Sequence, residues 1–190
     1  MLYRVLAGKC DFRVSLDNVE NELLGGGFDE DFELLALSYN AFDEIDLESE
    51  ISAQSDCLTG LAALSGNKGA TVFCGVTTSV LGIKHISVAV CHKGKLVDIV
   101  DRTSNIENDE YATAQKIKVY STDTARIGVL VDKDALIKRN WEKLAPHCDL
   151  VLAVIKGGDE KLSAAANIIS GGFSVPSLIV SDNAVEWKTV

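Results

Sequence analysis

The sequence lacks most of the features that assign a protein quickly. No apolar run approaches the ~20 residues of a membrane-spanning helix. Met1, Leu2, Tyr3 and Arg4 open directly into a strand pattern instead of a signal peptide, so a soluble, cytoplasmic protein is expected. Basic residues are few: 18 Lys and Arg stand against 28 Asp and Glu, and the formal net charge of −10 repels nucleic acid and anionic membrane surfaces. No basic stripe with interleaved aromatics overrides that field, which leaves a small polar molecule or another protein as partner. GxSxG, Walker and GxGxxG motifs are missing, as are internal repeats, low-complexity tracts and linkers. The five cysteines (Cys10, Cys57, Cys74, Cys91, Cys148) are scattered, odd in number and never CxxC. The three histidines (His85, His92, His147) do not join them at ligand spacing. No metal and no cofactor are therefore expected, and most of the cysteines read as buried thiols in a reducing compartment.

What is present is apolar and regularly patterned. An apolar fraction of 47% over 190 residues excludes general disorder and suffices for one domain, 1–190, with a sizeable core. Residues 2–7 read as a buried strand and 11–24 as a helix with Leu16, Val19 and Leu23 on one face, stopped by Gly25, Gly26 and Gly27. Residues 32–37 form a second buried strand, and 38–46 a loop. Glu48 and Glu50 suit the first turn of a helix whose core stripe is Ile51, Leu58, Leu61 and Leu64, closed by Gly66 and Asn67. Strands follow over 71–76, 85–91 and 95–100, the last two joined by a short turn at His92, Lys93 and Gly94. A polar loop spans 102–113.

The organising stretch is 116–134. It reads as a strand, a turn and a second strand, 126–131, that ends at Asp132, with a helix starting at Asp134 and carrying Ile137, Trp141 and Leu144 at helical spacing. A strand over 149–155, a helix over 160–170 and a strand over 176–180 complete the chain. Strand-helix-strand units around a hairpin place it in the α/β class.

Gly128-Val129-Leu130-Val131-Asp132-Lys133-Asp134 resembles the nucleophile segment of the nitrilase, or carbon–nitrogen hydrolase, superfamily, which reads Gly, three aliphatics, Cys, Tyr, Asp. The resemblance extends along the chain. Residues 91–97 resemble the family hairpin leading to its catalytic lysine, and 147–152 the strand after its nucleophile helix. It implies a nitrilase-like α-β-β-α sandwich, trimmed at the C-terminus because few residues follow the last strand read here. It also implies a homodimer contacting through the helix near 134–144.

The family chemistry needs a carboxylate base, a cysteine thiolate and a lysine that stabilises developing charge. By position these fall at Tyr39, Asp132 and Arg102, so all three differ; an assisting glutamate corresponds to Glu107 or Glu110. A phenol with an ordinary pKa near ~10 is no base at neutral pH, and arginine exchanges no proton. An aspartate attacking an amide would form an adduct that expels the carboxylate more readily than the amine. The resemblance thus implies a pseudoenzyme, with Tyr39, Arg102 and Asp132 as ligand-binding residues and the domain acting as a small-molecule-binding or assembly module. An altered hydrolase of amide or nitrile C–N bonds and a ligand-free scaffold, with Arg102 and Asp132 neutralising each other, are the alternatives. Cys91 beside His92 imitates a nucleophile pair, but strand neighbours point to opposite faces. Lys156-Gly157-Gly158 reads as a turn.

Overall fold

The computed structural model describes residues 5–8, 33–39, 42–53, 55–105, 109–183 and 185–188. The helix expected over 11–24 lies outside them, as do Cys10 and Glu107.

Alternation of side chains along short aliphatic runs builds two sheets. The first has the order β1 (Val5–Gly8), β2 (Leu34–Leu37), β4 (Thr71–Val80), β5 (Ile83–His92) and β6 (Lys95–Asp101), with the two-residue β3 (Ile45–Asp46) pairing the far end of β4. The second has the order β11 (Val185–Lys188), β10 (Ser177–Ser181), β9 (Leu150–Ile155), β8 (Arg126–Val131) and β7 (Lys118–Ser121). β1, β2 and β4 run parallel, as do β8, β9 and β10, whereas the β4–β5–β6 meander and the outer strands β7 and β11 are antiparallel to their neighbours.

Each strand divides its residues between two faces with a period of two. Leu34, Ala36, Phe73, Val88 and Val90 of the first sheet meet Ile127, Val129, Leu150, Leu152 and Val180 of the second in one buried cluster between the sheets. The opposite face of the first sheet, with Leu35, Leu37, Val72, Val76 and Ala89, packs on Leu58, Leu61 and Leu64 of α2 (Cys57–Lys68). The opposite face of the second, with Leu130, Val151, Ala153 and Ile179, packs on Trp141 and Leu144 of α3 (Lys138–Leu144) and Ala166 of α4 (Glu160–Ser170). The layers are therefore α-β-β-α, with aliphatic cores between and outside the sheets.

Several boundaries differ from the sequence reading. The helix expected from Glu48 onward is two: α1 (Leu47–Ile51), capped by Asp46, and α2, whose amide N–H groups at Cys57 and Leu58 donate to the Glu50 carboxylate at 3.0 and 3.1 Å. Ile51 consequently leaves the core stripe and is 88% exposed. Gly66 and Asn67 lie inside α2, which closes at Gly69 in the left-handed conformation (φ 64°). Strand β4 continues past Val76 to Val80 and turns at Leu81 and Gly82 into β5, a hairpin that the mixed Thr77, Thr78, Ser79 pattern concealed. The helix expected from Asp134 begins at Lys138, because Asp132–Leu136 first makes a 3-10 turn. One further strand, β11, follows β10.

Candidate functional site

The parallel strands of both sheets aim their carboxyl ends at one edge of the sandwich, where α/β folds form ligand sites. β2 delivers Ser38 and Tyr39 there, β4 Thr77, β6 Arg102, β8 Asp132, β9 Lys156 and β10 Asp182. Direct contacts join the two edges. Arg102 Nη1 donates to Asp132 Oδ2 at 2.9 Å, and Lys156 Nζ donates to Thr77 Oγ1 at 2.9 Å.

Asp132 sits where β8 breaks into the 3-10 turn, with φ 52°. Aspartate tolerates this left-handed region better than most side chains, and a non-glycine residue held there marks a constrained site. The turn is pinned by Asp134, whose carboxylate accepts from the Thr103 N–H at 2.8 Å and the Thr103 hydroxyl at 2.9 Å. Burial nevertheless holds the Asp134 carboxyl above the usual aspartate value. Both oxygens of Asp132 are engaged, Oδ2 by Arg102 and Oδ1 by the backbone N–H of Lys156 at 3.2 Å, and the residue is 3% exposed.

Arg102 is fully buried. Its second terminal nitrogen, Nη2, donates to both oxygens of Asp109, at 2.6 and 2.8 Å. Burial lowers the guanidinium pKa, but hydrogen bonds to Asp109 and Asp132 outweigh it and raise the group above its ordinary value. The hydrogen bond from Arg102 in turn keeps Asp109 below the usual carboxylate range. Tyr39 is buried, its ring lying over Gly75, where an added Cβ would come within 2.7 Å of a ring carbon. Its hydroxyl has no hydrogen-bond partner among the described residues. Burial, and then the negative charge of Asp132, push its pKa well above that of an ordinary phenol.

Of the residues singled out in the sequence, Arg102 and Asp132 are thus in contact, and Tyr39 is near enough to Asp132 to feel its charge. Glu110 is exposed and acts electrostatically on Lys84; its neighbour Asp109 is the acid that bonds Arg102. Lys156, read as part of a turn, is a site residue. Besides Thr77 it donates to the Tyr111 hydroxyl at 3.0 Å, and its ammonium lies 4.6 Å from the centre of the Tyr111 ring. Asp182 accepts from the Gly157 N–H through Oδ2 at 2.7 Å, while Oδ1 is buried without a partner among the described residues. Lys156 and Asp182 shared one legible signal: each is a charged residue directly after a buried parallel strand. Among the described residues no group of three or more His, Cys, Asp or Glu could hold a metal ion, and no helix is long and apolar enough to cross a membrane.

A carboxylate with both oxygens hydrogen-bonded, a guanidinium and a protonated phenol can hold polar groups in place.

The fold, two facing sheets with helices outside, is similar to that of solved carbon–nitrogen hydrolase and nitrilase-superfamily structures. A carbon–nitrogen hydrolase from Helicobacter pylori G27 superposes with a TM-score of 0.71 at 12% identity, covering 93% of this chain and 71% of its own. Nit3 of Saccharomyces cerevisiae, a member of branch 10 of the nitrilase superfamily, gives 0.69 at 11% identity, covering 95% and 73%. An amidase from Nesterenkonia sp. AN1, with acrylamide added at its active-site cysteine, gives 0.67 at 14% identity, covering 94% and 76%. The likeness is one of fold, and the chain spans 71–76% of the length of these structures. No protein-family model matches the chain, and no curated protein matches it in sequence.

Proposed function

We propose that the chain is a catalytically silent carbon–nitrogen-hydrolase-like domain that works as a small-molecule-binding module at the carboxyl edge of its sandwich. One observation carries this reading: the position that the sequence resemblance aligns with the nucleophile is Asp132, and both of its oxygens are tied down, one of them by a fully buried arginine. A carboxylate so engaged is a poor nucleophile, and its adduct with an amide would collapse back to starting material. Arg102 and Asp132 form the floor of the site, fixing its shape and neutralising each other, while Tyr39 supplies a hydroxyl still able to donate. The test is turnover of the purified protein on a panel of aliphatic and aromatic amides and nitriles. None is expected; hydrolysis that disappears in Asp132→Ala overturns the proposal in favour of an altered hydrolase.

The hairpin tip favours a second reading, self-association. Val80, Leu81 and Ile83 are 37, 76 and 56% exposed at its end. The resemblance placed a homodimer contact at the helix near 134–144, where Lys138, Arg139, Glu142 and Lys143 face outward. Sedimentation equilibrium separates the cases: a dimer weakened by Leu81→Ser assigns the contact to the hairpin, and a monomer at high micromolar concentration rejects assembly.

A further inference from the structure

Several polar groups at the carboxyl edge keep unfilled hydrogen-bonding capacity among the described residues, Ser38 Oγ and Arg102 Nε included. The Lys156 ammonium has three N–H donors, of which Thr77 and Tyr111 take two among the described residues. Among the described residues the Tyr39 hydroxyl and Asp182 Oδ1 are buried and unpaired, in residues only 6 and 8% exposed. They belong to one neighbourhood: the Tyr39 ring packs on Gly75, two residues before the Thr77 that bonds Lys156, and the Asp182 side chain bonds the N–H of Gly157, the residue after Lys156. The nearby carboxylates of Asp132 and Asp109 are held by Arg102, and Glu44 on the rim is held by Lys84 at 2.8 Å.

Buried polar groups left unpaired by their own chain are costly, and a cluster of them with complementary chemistry describes the molecule that would satisfy them. Two donors, one of them cationic, suit a carboxylate; one anionic acceptor suits an ammonium. A zwitterion also avoids the penalty that a chain with net charge −10 imposes on a free anion. We propose that this edge binds a small amino acid, its carboxylate held by Lys156 Nζ and the Tyr39 hydroxyl and its ammonium by Asp182 Oδ1. The inference deepens the binding-module reading and rests on it. Lys156 is the anchor, with the Tyr111 ring against its ammonium and its backbone N–H on the Asp132 carboxylate that Arg102 holds.

Isothermal titration with glycine, β-alanine and 4-aminobutyrate tests the spacing of the two ends; propionate and butylamine each carry only one end. Saturable binding of one amino acid is expected, with propionate and butylamine at least about tenfold weaker. Lys156→Met and Asp182→Asn should each weaken it at least about tenfold, Lys156→Arg less than Lys156→Met, and Tyr39→Phe by roughly three- to tenfold. Tyr39→Phe removes only an unpaired hydroxyl, so it reports on binding even where a lysine variant folds poorly. The inference is overturned by no saturable binding of any of the three amino acids to the folded protein. It is equally overturned by binding that Lys156→Met and Tyr39→Phe leave unchanged, or by propionate binding as tightly as the best amino acid. A ligand bound elsewhere would sink this site and spare the binding module; amide turnover would sink the module itself.

Discussion

Arg102→Met isolates the energetic role of the buried pair. In the parent, Asp132 is 3% exposed, with one oxygen on Arg102 and one on a backbone N–H. Removing the guanidinium strands that carboxylate in a desolvated place, while Asp109, whose side chain is 22% exposed, can turn to water or to Lys133 3.9 Å away. Breaking a buried pair from one side typically costs about 3–5 kcal/mol. The deficit of Arg102→Met is therefore expected at about 3–5 kcal/mol at pH 7. Asn tolerates the left-handed backbone at residue 132 and carries no charge, so Arg102→Met/Asp132→Asn should recover part of the loss. The cycle should then show a coupling of about 1–3 kcal/mol. Equilibrium urea unfolding followed by far-UV circular dichroism measures each variant, with an unchanged m-value required. A deficit for Arg102→Met under about 1 kcal/mol or an additive cycle refutes the reasoning.

Three further outcomes are expected. Gly75→Ala should destabilise by about 1–3 kcal/mol, because its Cβ would meet Tyr39 ring carbons at 2.7–2.9 Å; an unchanged urea midpoint would show that the ring does not rest there. Burial pushes the thiols of Cys91 and Cys148 up to about 12 and about 11, whereas Cys57 is only half-buried. Alkylation at pH 8 read by mass spectrometry should therefore mark Cys57 in the native protein and the other two only in urea, an order that native labelling of Cys91 at the Cys57 rate would reverse. Burial pushes the Asp98 carboxyl up, but hydrogen bonds from Lys118 at 2.6 Å and Tyr120 at 2.7 Å outweigh it and keep the group below the usual range. The stability it adds is complete above the unfolded value near ~3.9 and is lost as pH falls through the lower folded value. Urea midpoints between pH 6 and pH 2.5 should fall less steeply in Asp98→Asn, and identical slopes would count against the assignment.

Much of the fold was legible because buried parallel strands announce themselves as unbroken aliphatic runs: residues 32–37, 126–131 and 149–155 each became a strand within two residues of the expected ends. The stretch 77–80 was missed because Thr77, Thr78 and Ser79 satisfy their hydroxyls inside the structure, Thr78 against Ser87 and Thr77 against Lys156, which hydropathy does not register. At the edge, Arg102 and Asp132 were legible by likeness to a known pattern. Lys156 and Asp182 departed from no known pattern, and only the facing of two sheets brings Lys156 onto Tyr111 and Thr77, 45 and 79 positions away. Asp109 was overlooked for a reason of side-chain length: the glutamate pattern drew attention to Glu107 and Glu110, while the shorter acid between them reaches Arg102.

The left-handed turn at residue 132 makes the edge interchangeable without making it soft. Main-chain geometry and the Asp134–Thr103 clamp aim that position, so its occupant is restricted by backbone to Asp, Asn, Gly and similarly tolerant side chains, whatever chemistry it brings. The three aliphatic cores that hold the sandwich together lie behind the strand ends. Lys156 and Asp182, which directly follow strand ends, can therefore be exchanged one side chain at a time on a frame that does not need to be rebuilt, whereas Tyr39 is packed into the core between the sheets.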